Sequence, residues 1–267
     1  MFRDRRRWAL LAAAVFCCAA AAPPAGPHKV IARIDLSKPF HLPAGATFTA
    51  TQGPEVDDPV YEGERAPGQI HLCLQISASA ACSPNLNDAW KTGGIVDEYS
   101  EIHFLDQAEI IQPNGNSSAP RLLLRTRSFQ TGDGDQFHSV QIVGYRARER
   151  RFLVVFREQS GGNNNQEIRL VKAGPLAGAV ISNNPADNAP FGYWITVYRA
   201  SAGGDYRQIL HYRSATRYND GNPLAVIDSE MPNILQRLRL WRPGLPLPLP
   251  AGRCPRPHLV KSELWCS

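Results

Sequence analysis

Apolar residues in this chain come in short runs separated by glycine, proline, asparagine and aspartate. Ten of these runs are rich in Val, Ile, Leu, Phe and Tyr and read as strands: residues 47–50, 69–76, 100–104, 121–127, 139–145, 152–157, 167–172, 178–182, 193–199 and 206–212. One stretch has helical spacing instead. From Glu230 to Trp241, apolar residues recur at Ile234, Leu235, Leu238 and Trp241, with Asp228 or Ser229 as the cap and Pro243-Gly244 as the stop. Pro232 then falls in the first turn, where its missing N–H is tolerated. The Pro-rich segment 242–257 is expected to run extended along the body.

The strand pattern comes close to repeating. Val140 to Ala147 resembles Trp194 to Ala200, and a polar hairpin and a second apolar strand follow in both places, Phe152 to Phe156 and Tyr206 to Tyr212. Phe156-Arg157 leads to the polar run Asn163-Asn164-Asn165-Gln166 and then to Ile168. Tyr212-Arg213 leads in the same way to Asn219-Asp220-Gly221-Asn222 and a strand expected over 224–227. A unit of about 50 residues with four antiparallel strands is the size of a propeller blade. The expected fold is therefore all-β, built from antiparallel four-stranded meanders in a propeller-like array, with one short C-terminal helix. A β-sandwich of two similar meanders is the alternative.

The N-terminus changes how the composition is read. Arg3, Arg5, Arg6 and Arg7 precede an uncharged stretch from Trp8 to Ala22. That stretch is short of the roughly 20 apolar residues a membrane span needs, and it has the flanks of a cleavable signal. Residues 1–22 are expected to be a signal peptide, 23–267 a single β-rich domain without a transmembrane segment, and the compartment periplasmic or extracellular. The whole chain has 29 Lys and Arg against 24 Asp and Glu, a net charge of +5. Removing four arginines and one aspartate leaves 25 against 23, or +2. Most of the basicity belongs to the leader, which argues against a nucleic-acid partner. Arg146, Arg148, Arg150 and Arg151, interrupted by Glu149, read as an exposed hairpin tip.

Four of the six cysteines remain after cleavage: Cys73, Cys82, Cys254 and Cys266. Export permits disulfides, and pairing Cys73 with Cys82 and Cys254 with Cys266 brackets two short turn-rich segments. Neither spacing matches a zinc knuckle.

Three groups of residues carry candidate chemistry. Asp133 and Asp135 lie two apart on a glycine turn and can aim carboxylates at a hard cation such as calcium, although a plain Asp-Gly turn explains the same residues. Asp220, Asn222, Asp228 and Glu230 offer four oxygen ligands over a short span; a turn and a helix cap account for them equally. Asn163, Asn164, Asn165 and Glu167, with Trp194 among nearby aromatics, suit sugar hydroxyls, while strand aromatics and loop asparagines also serve structure. His103, His138 and His211 lie on or beside strands and pair with no evident nucleophile. Gly-x-Ser-x-Gly and His-Glu-x-x-His are both missing from the chain. The expected function is an exported binding or envelope-associated module facing a glycan, an envelope component or a protein. The alternative is a calcium-supported hydrolase of saccharides or phosphoesters.

Overall fold

The computed structural model describes residues 28–87, 101–113, 119–132, 134, 136–186, 192–214, 225–246, 248, 257–260 and 263–266. A first sheet takes β1 (Lys29–Asp35), β2 (Thr47–Gln52) and β5 (Ile70–Gln75) in the order β1-β2-β5, with the one-turn helix α1 (Ser37–Phe40) linking the first two. A small ribbon, β3 (Val56–Asp57) with β4 (Arg65–Ala66), fills the connection to β5. The middle sheet is an antiparallel meander of β6 (Phe104–Ile111), β7 (Arg121–Gln130), β8 (Gln136–Arg146) and β9 (Arg151–Ser160). The third sheet repeats that order with β10 (Glu167–Leu170), β11 (Val180–Pro185), β12 (Tyr193–Ala200) and β13 (Tyr206–Arg213). Helix α2 (Val226–Arg237) follows, and a hairpin of β14 (Pro257–Val260) and β15 (Glu263–Cys266) ends the described chain.

Three apolar clusters stack these elements into layers. Phe48, Ala50, Leu72 and Leu74 of the first sheet meet Leu122, Leu124, Val143 and Phe152 on one face of the middle sheet. The opposite face presents Leu123, Val140, Ile142 and Phe156 to Ile168, Leu170 and Val180 of the third sheet. The far face of the third sheet then carries Ile181, Ile195, Val197 and Tyr212 against Ile227, Met231, Ile234 and Leu235 of α2. A sheet covered on both sides has no polar face to alternate with, hence the unbroken Leu122-Leu123-Leu124. Each fully buried side chain of this size contributes about 1.5–3 kcal/mol. A bulge between Ile142 and Val143 lets Val155 of β9 join the second cluster while Val154 packs on the first.

The all-β architecture with one short C-terminal helix is as expected, but the meanders are offset by one strand from the expected units: the strand at Ile168, expected to close the first unit, is β10 and opens the third sheet, and the middle sheet starts with β6 instead. The outer face of the third sheet is covered by α2 rather than by a further sheet among the described residues. The helix itself differs from expectation. It begins at Val226, so the strand expected over 224–227 does not form at Val226 and Ile227, and Pro232 lies inside the helix. Packing explains the shift: Val226 and Ile227 are buried against the third sheet as the first turn of α2. That contact outweighs both their β preference and the hydrogen bond lost at proline. Two strands are displaced or newly found. The strand expected over 100–104 is displaced, since residues 101–103 are not strand and β6 runs from Phe104 to Ile111, and β1 at Lys29–Asp35 pairs with β2 on either side of a bulge at Ile31.

Cys73 and Cys82 form a disulfide, with their Cα atoms 5.0 Å apart. Cys254 lies outside the described residues, as do 1–27 with the expected leader and most of the Pro-rich segment 242–257. Within the described helices, none is long and apolar enough to cross a membrane.

Candidate functional site

The antiparallel register collects one set of connections at a single end of the middle and third sheets. Strands β7, β9, β11 and β13 finish there, and β8, β10 and β12 begin there. The strands flanking Asp133 and Asp135 and the strand preceding Asp220 and Asn222 therefore point their ends the same way. Those four residues lie outside the described residues.

The polar loop between β9 and β10 belongs to this end. Asn164 and Asn165 both have left-handed backbones, with φ of 54° and 55°, a conformation asparagine tolerates better than most residues. Asn164 donates its side-chain amide to Oδ1 of Asn163 at 2.9 Å, and Gln166 Oε1 accepts from the Gly161 amide at 2.9 Å. The loop is latched to the third sheet by Tyr193 Oη donating to the Asn164 carbonyl at 2.6 Å and Asn183 Nδ2 donating to the Asn165 carbonyl at 2.7 Å. These amides shape and anchor the loop.

Glu167 and Asp228 are brought together by a residue the sequence reading passed over. Arg169 of β10 donates to Glu167 Oε2 at 2.7 Å, and to Asp228 through both terminal nitrogens, Nη2 reaching Oδ2 at 3.3 Å. Burial pulls the guanidinium pKa down, but the hydrogen bonds to the two carboxylates outweigh it and the net shift is upward. Glu230, two residues on, faces other partners. Its fully buried carboxylate accepts from Tyr212 Oη at 2.7 Å, from Ser214 Oγ, and from Asn233 Nδ2 at 3.0 Å. Residues two apart on a helix project in nearly opposite directions, so Asp228 and Glu230 do not converge on one point. No group of three or more His, Cys, Asp or Glu is placed to hold a metal ion among the described residues.

Trp194 is placed differently. It sits near the start of β12, directly across the ladder from Asn184 of β11 on one side and Arg213 of β13 on the other. Its indole is 40% exposed and lies parallel to the His211 ring, with centroids 4.9 Å apart and planes 8° from coplanar. Thr196 Oγ1 and His211 Nδ1 hydrogen-bond at 2.9 Å and fix that ring. The result is a supported aromatic platform flanked by an amide and a guanidinium. Deeper between the sheets, Glu158 of β9 accepts from Tyr198 Oη at 3.1 Å, with Ser182 Oγ at 3.5 Å. Burial raises the Glu158 carboxyl above its usual range, and burial with the neighbouring carboxylate pushes the Tyr198 phenol up to about 12.

The remaining histidines have structural surroundings. His103 is buried against Phe129, ring centroids 3.5 Å apart, and its Nδ1 donates to the Pro67 carbonyl at 2.9 Å. His138 lies under the β9–β10 loop, where a side chain at Gly162 would come within 2.8 Å of its ring. Arg169, Glu158 and Tyr198 were not singled out from sequence. The available signal was a charged residue inside an apolar strand, as with Arg169 between Ile168 and Leu170. The chain matches no family model, no curated protein and no solved structure.

Proposed function

We propose that this chain is an exported binding module, working in the periplasm or outside the cell, that engages a glycan through the Trp194 platform. The observation carrying this reading is the exposed indole held flat on His211 between Asn184 and Arg213. Sugar rings present C–H faces that stack on aromatic surfaces and hydroxyls that need amide and guanidinium partners. A flat apolar face edged by those groups meets both needs. The Cys73–Cys82 bridge supports an oxidising compartment.

The test is a glycan array carrying peptidoglycan fragments and envelope polysaccharides, followed by calorimetry on any hit. Trp194→Ala removes an exposed side chain, so its fold is preserved and binding falls by about tenfold or more, equivalent to roughly 1.4 kcal/mol. Equal binding by wild type and variant overturns the platform, and silence of the wild type across the array overturns the glycan reading.

A further inference from the structure

At the opposite end of the sheets, the turn joining β8 to β9 meets the turn joining β12 to β13. Arg146 closes the junction, donating to the Gly203 carbonyl and pairing with Asp205. Between the turns lies a cavity of about 440 Å³ whose walls include Arg121, Gly144, Arg146, Arg148, Glu149 and Gly204. Its acidic wall residue is already engaged, since Arg151 Nε donates to Glu149 Oε2 at 2.7 Å.

Arg121, the first residue of β7, occupies a slot made by two glycines. A side chain at Gly144, its cross-strand partner, would stand 3.1 Å from Arg121 Nε. One at Gly204 would stand 2.4 Å from Nη2, and Gly204 has a φ of +90° that disfavours any other residue. Glycine weakens a strand interior, so the opening at Gly144 comes at a structural cost and makes room for the guanidinium. Arg121 Nη1 donates to the Pro120 carbonyl at 3.1 Å, while Nε is buried with no hydrogen-bond partner among the described residues. Neither Arg121 nor Arg148 has a carboxylate partner among the described residues, in contrast to Arg146 and Arg151. Burial, with Arg146 alongside, lowers the Arg121 pKa even though Asp205 acts in the opposite direction.

We propose that this cavity binds a monosaccharide-sized solute carrying an oxyanion, a sugar phosphate or a sugar acid, with the half-buried Arg121 as the recognition group and Arg148 at the mouth. A planar guanidinium matches phosphate and carboxylate oxygens in pairs. The cavity volume falls in the range of small-molecule sites, well above what a bare inorganic ion fills.

This site is independent of the Trp194 platform. Calorimetry on the purified protein in low salt uses four probes: glucose 6-phosphate, glucuronate, inorganic phosphate and glucose. The expected result is binding of at least one of the first two, weaker binding of inorganic phosphate and none of glucose. Whichever of the first two binds identifies phosphate or carboxylate as the group recognised. Affinity falls as sodium chloride rises, because the attraction is screened. Arg148→Ala, an exposed change that leaves the fold intact, weakens binding by roughly threefold to fivefold. Arg121→Met abolishes it, and Trp194→Ala leaves it unchanged. The proposal is overturned if neither sugar anion binds at millimolar concentration, if inorganic phosphate binds as tightly as the sugar anions, or if Arg148→Ala and Arg121→Met bind like wild type.

Discussion

Arg169 of β10 and Asp228 in the first turn of α2 join the third sheet to the helix that covers it, with Nη2 3.3 Å from Oδ2. The same guanidinium holds Glu167, so one arginine engages a residue expected to contact sugar and another expected to bind calcium. The electrostatic demand of both carboxylates is met from within the chain by this one guanidinium.

Asp228→Ala should therefore destabilise the fold by about 2–4 kcal/mol, since it leaves Arg169 short of a partner in a largely buried position. Urea unfolding measures the loss. The same loss is expected in calcium and in EDTA. A melting temperature that rises with calcium in wild type and not in Asp228→Ala would restore the ion site.

Glu230 is a second buried carboxylate with a different role. Glu230→Ala strands the donors of Tyr212, Ser214 and Asn233 and should cost about 3 kcal/mol or more, whereas Tyr212→Phe removes one hydrogen bond and should cost about 1–2 kcal/mol. A double-mutant cycle between the two positions should show clear coupling. Additive losses would mean that the Tyr212 bond contributes nothing.

Stability should vary with pH in two opposed ways. Burial holds the His103 imidazole below its ordinary 6.5. The unfolded chain takes up that proton first, so stability is complete above about pH 6.5 and declines as pH falls toward the folded value. Burial raises Glu158 above its ordinary 4.5, so its contribution is present below about pH 4.5 and is lost as pH rises through the folded value. Glu158→Gln should be more stable than wild type at about pH 7 and lose that advantage at about pH 4. Urea titrations at a series of pH values check both signs.

The Cys73–Cys82 bridge closes a short loop, and Cys82→Ser should lower stability by about 2–3 kcal/mol on the chain-entropy picture. Alkylation of the exported protein in denaturant without reductant should label no cysteine if Cys254 and Cys266 are paired as well. Two labelled cysteines at those positions would remove the second bridge.

Export has its own measurement. Protein recovered from the periplasm or medium should begin within or just after the alanines Ala19 to Ala22 and lack Arg3 to Arg7. A cytoplasmic protein that retains the arginine run would overturn the exported reading.

The strands were legible because local pattern is sufficient for them. Arg121, Ser139, Phe152, Tyr193 and Tyr206 all stand where runs of apolar residues begin, and each lies in a strand. Legibility failed where a local preference met a distant partner. Val226 and Ile227 favour a strand by themselves, yet the exposed face of the third sheet is covered by making them the first turn of α2. β6 was missed beyond Phe104 because Asp106, Gln107 and Glu109 break its apolar run. Asp106 is explained by its hydrogen bond with Arg127 on the neighbouring strand, 2.8 Å from Nε.

Sequence alone determined the all-β class and the presence of a helix near the C-terminus, and favoured the Cys73–Cys82 pairing. Each of these follows from periodicity or short spacing. Tertiary structure alone decided which polar residues are engaged and which face outward. Asp228 and Glu167 meet Arg169, Glu158 meets Tyr198, Trp194 lies on His211, and Arg121 enters a slot between glycines sixty residues apart. Carboxylates, amides and guanidinium groups bond to whatever the packing of layers brings within about 3 Å. That proximity is set by the apolar faces of the sheets, and the polar residues themselves carry no local sign of it.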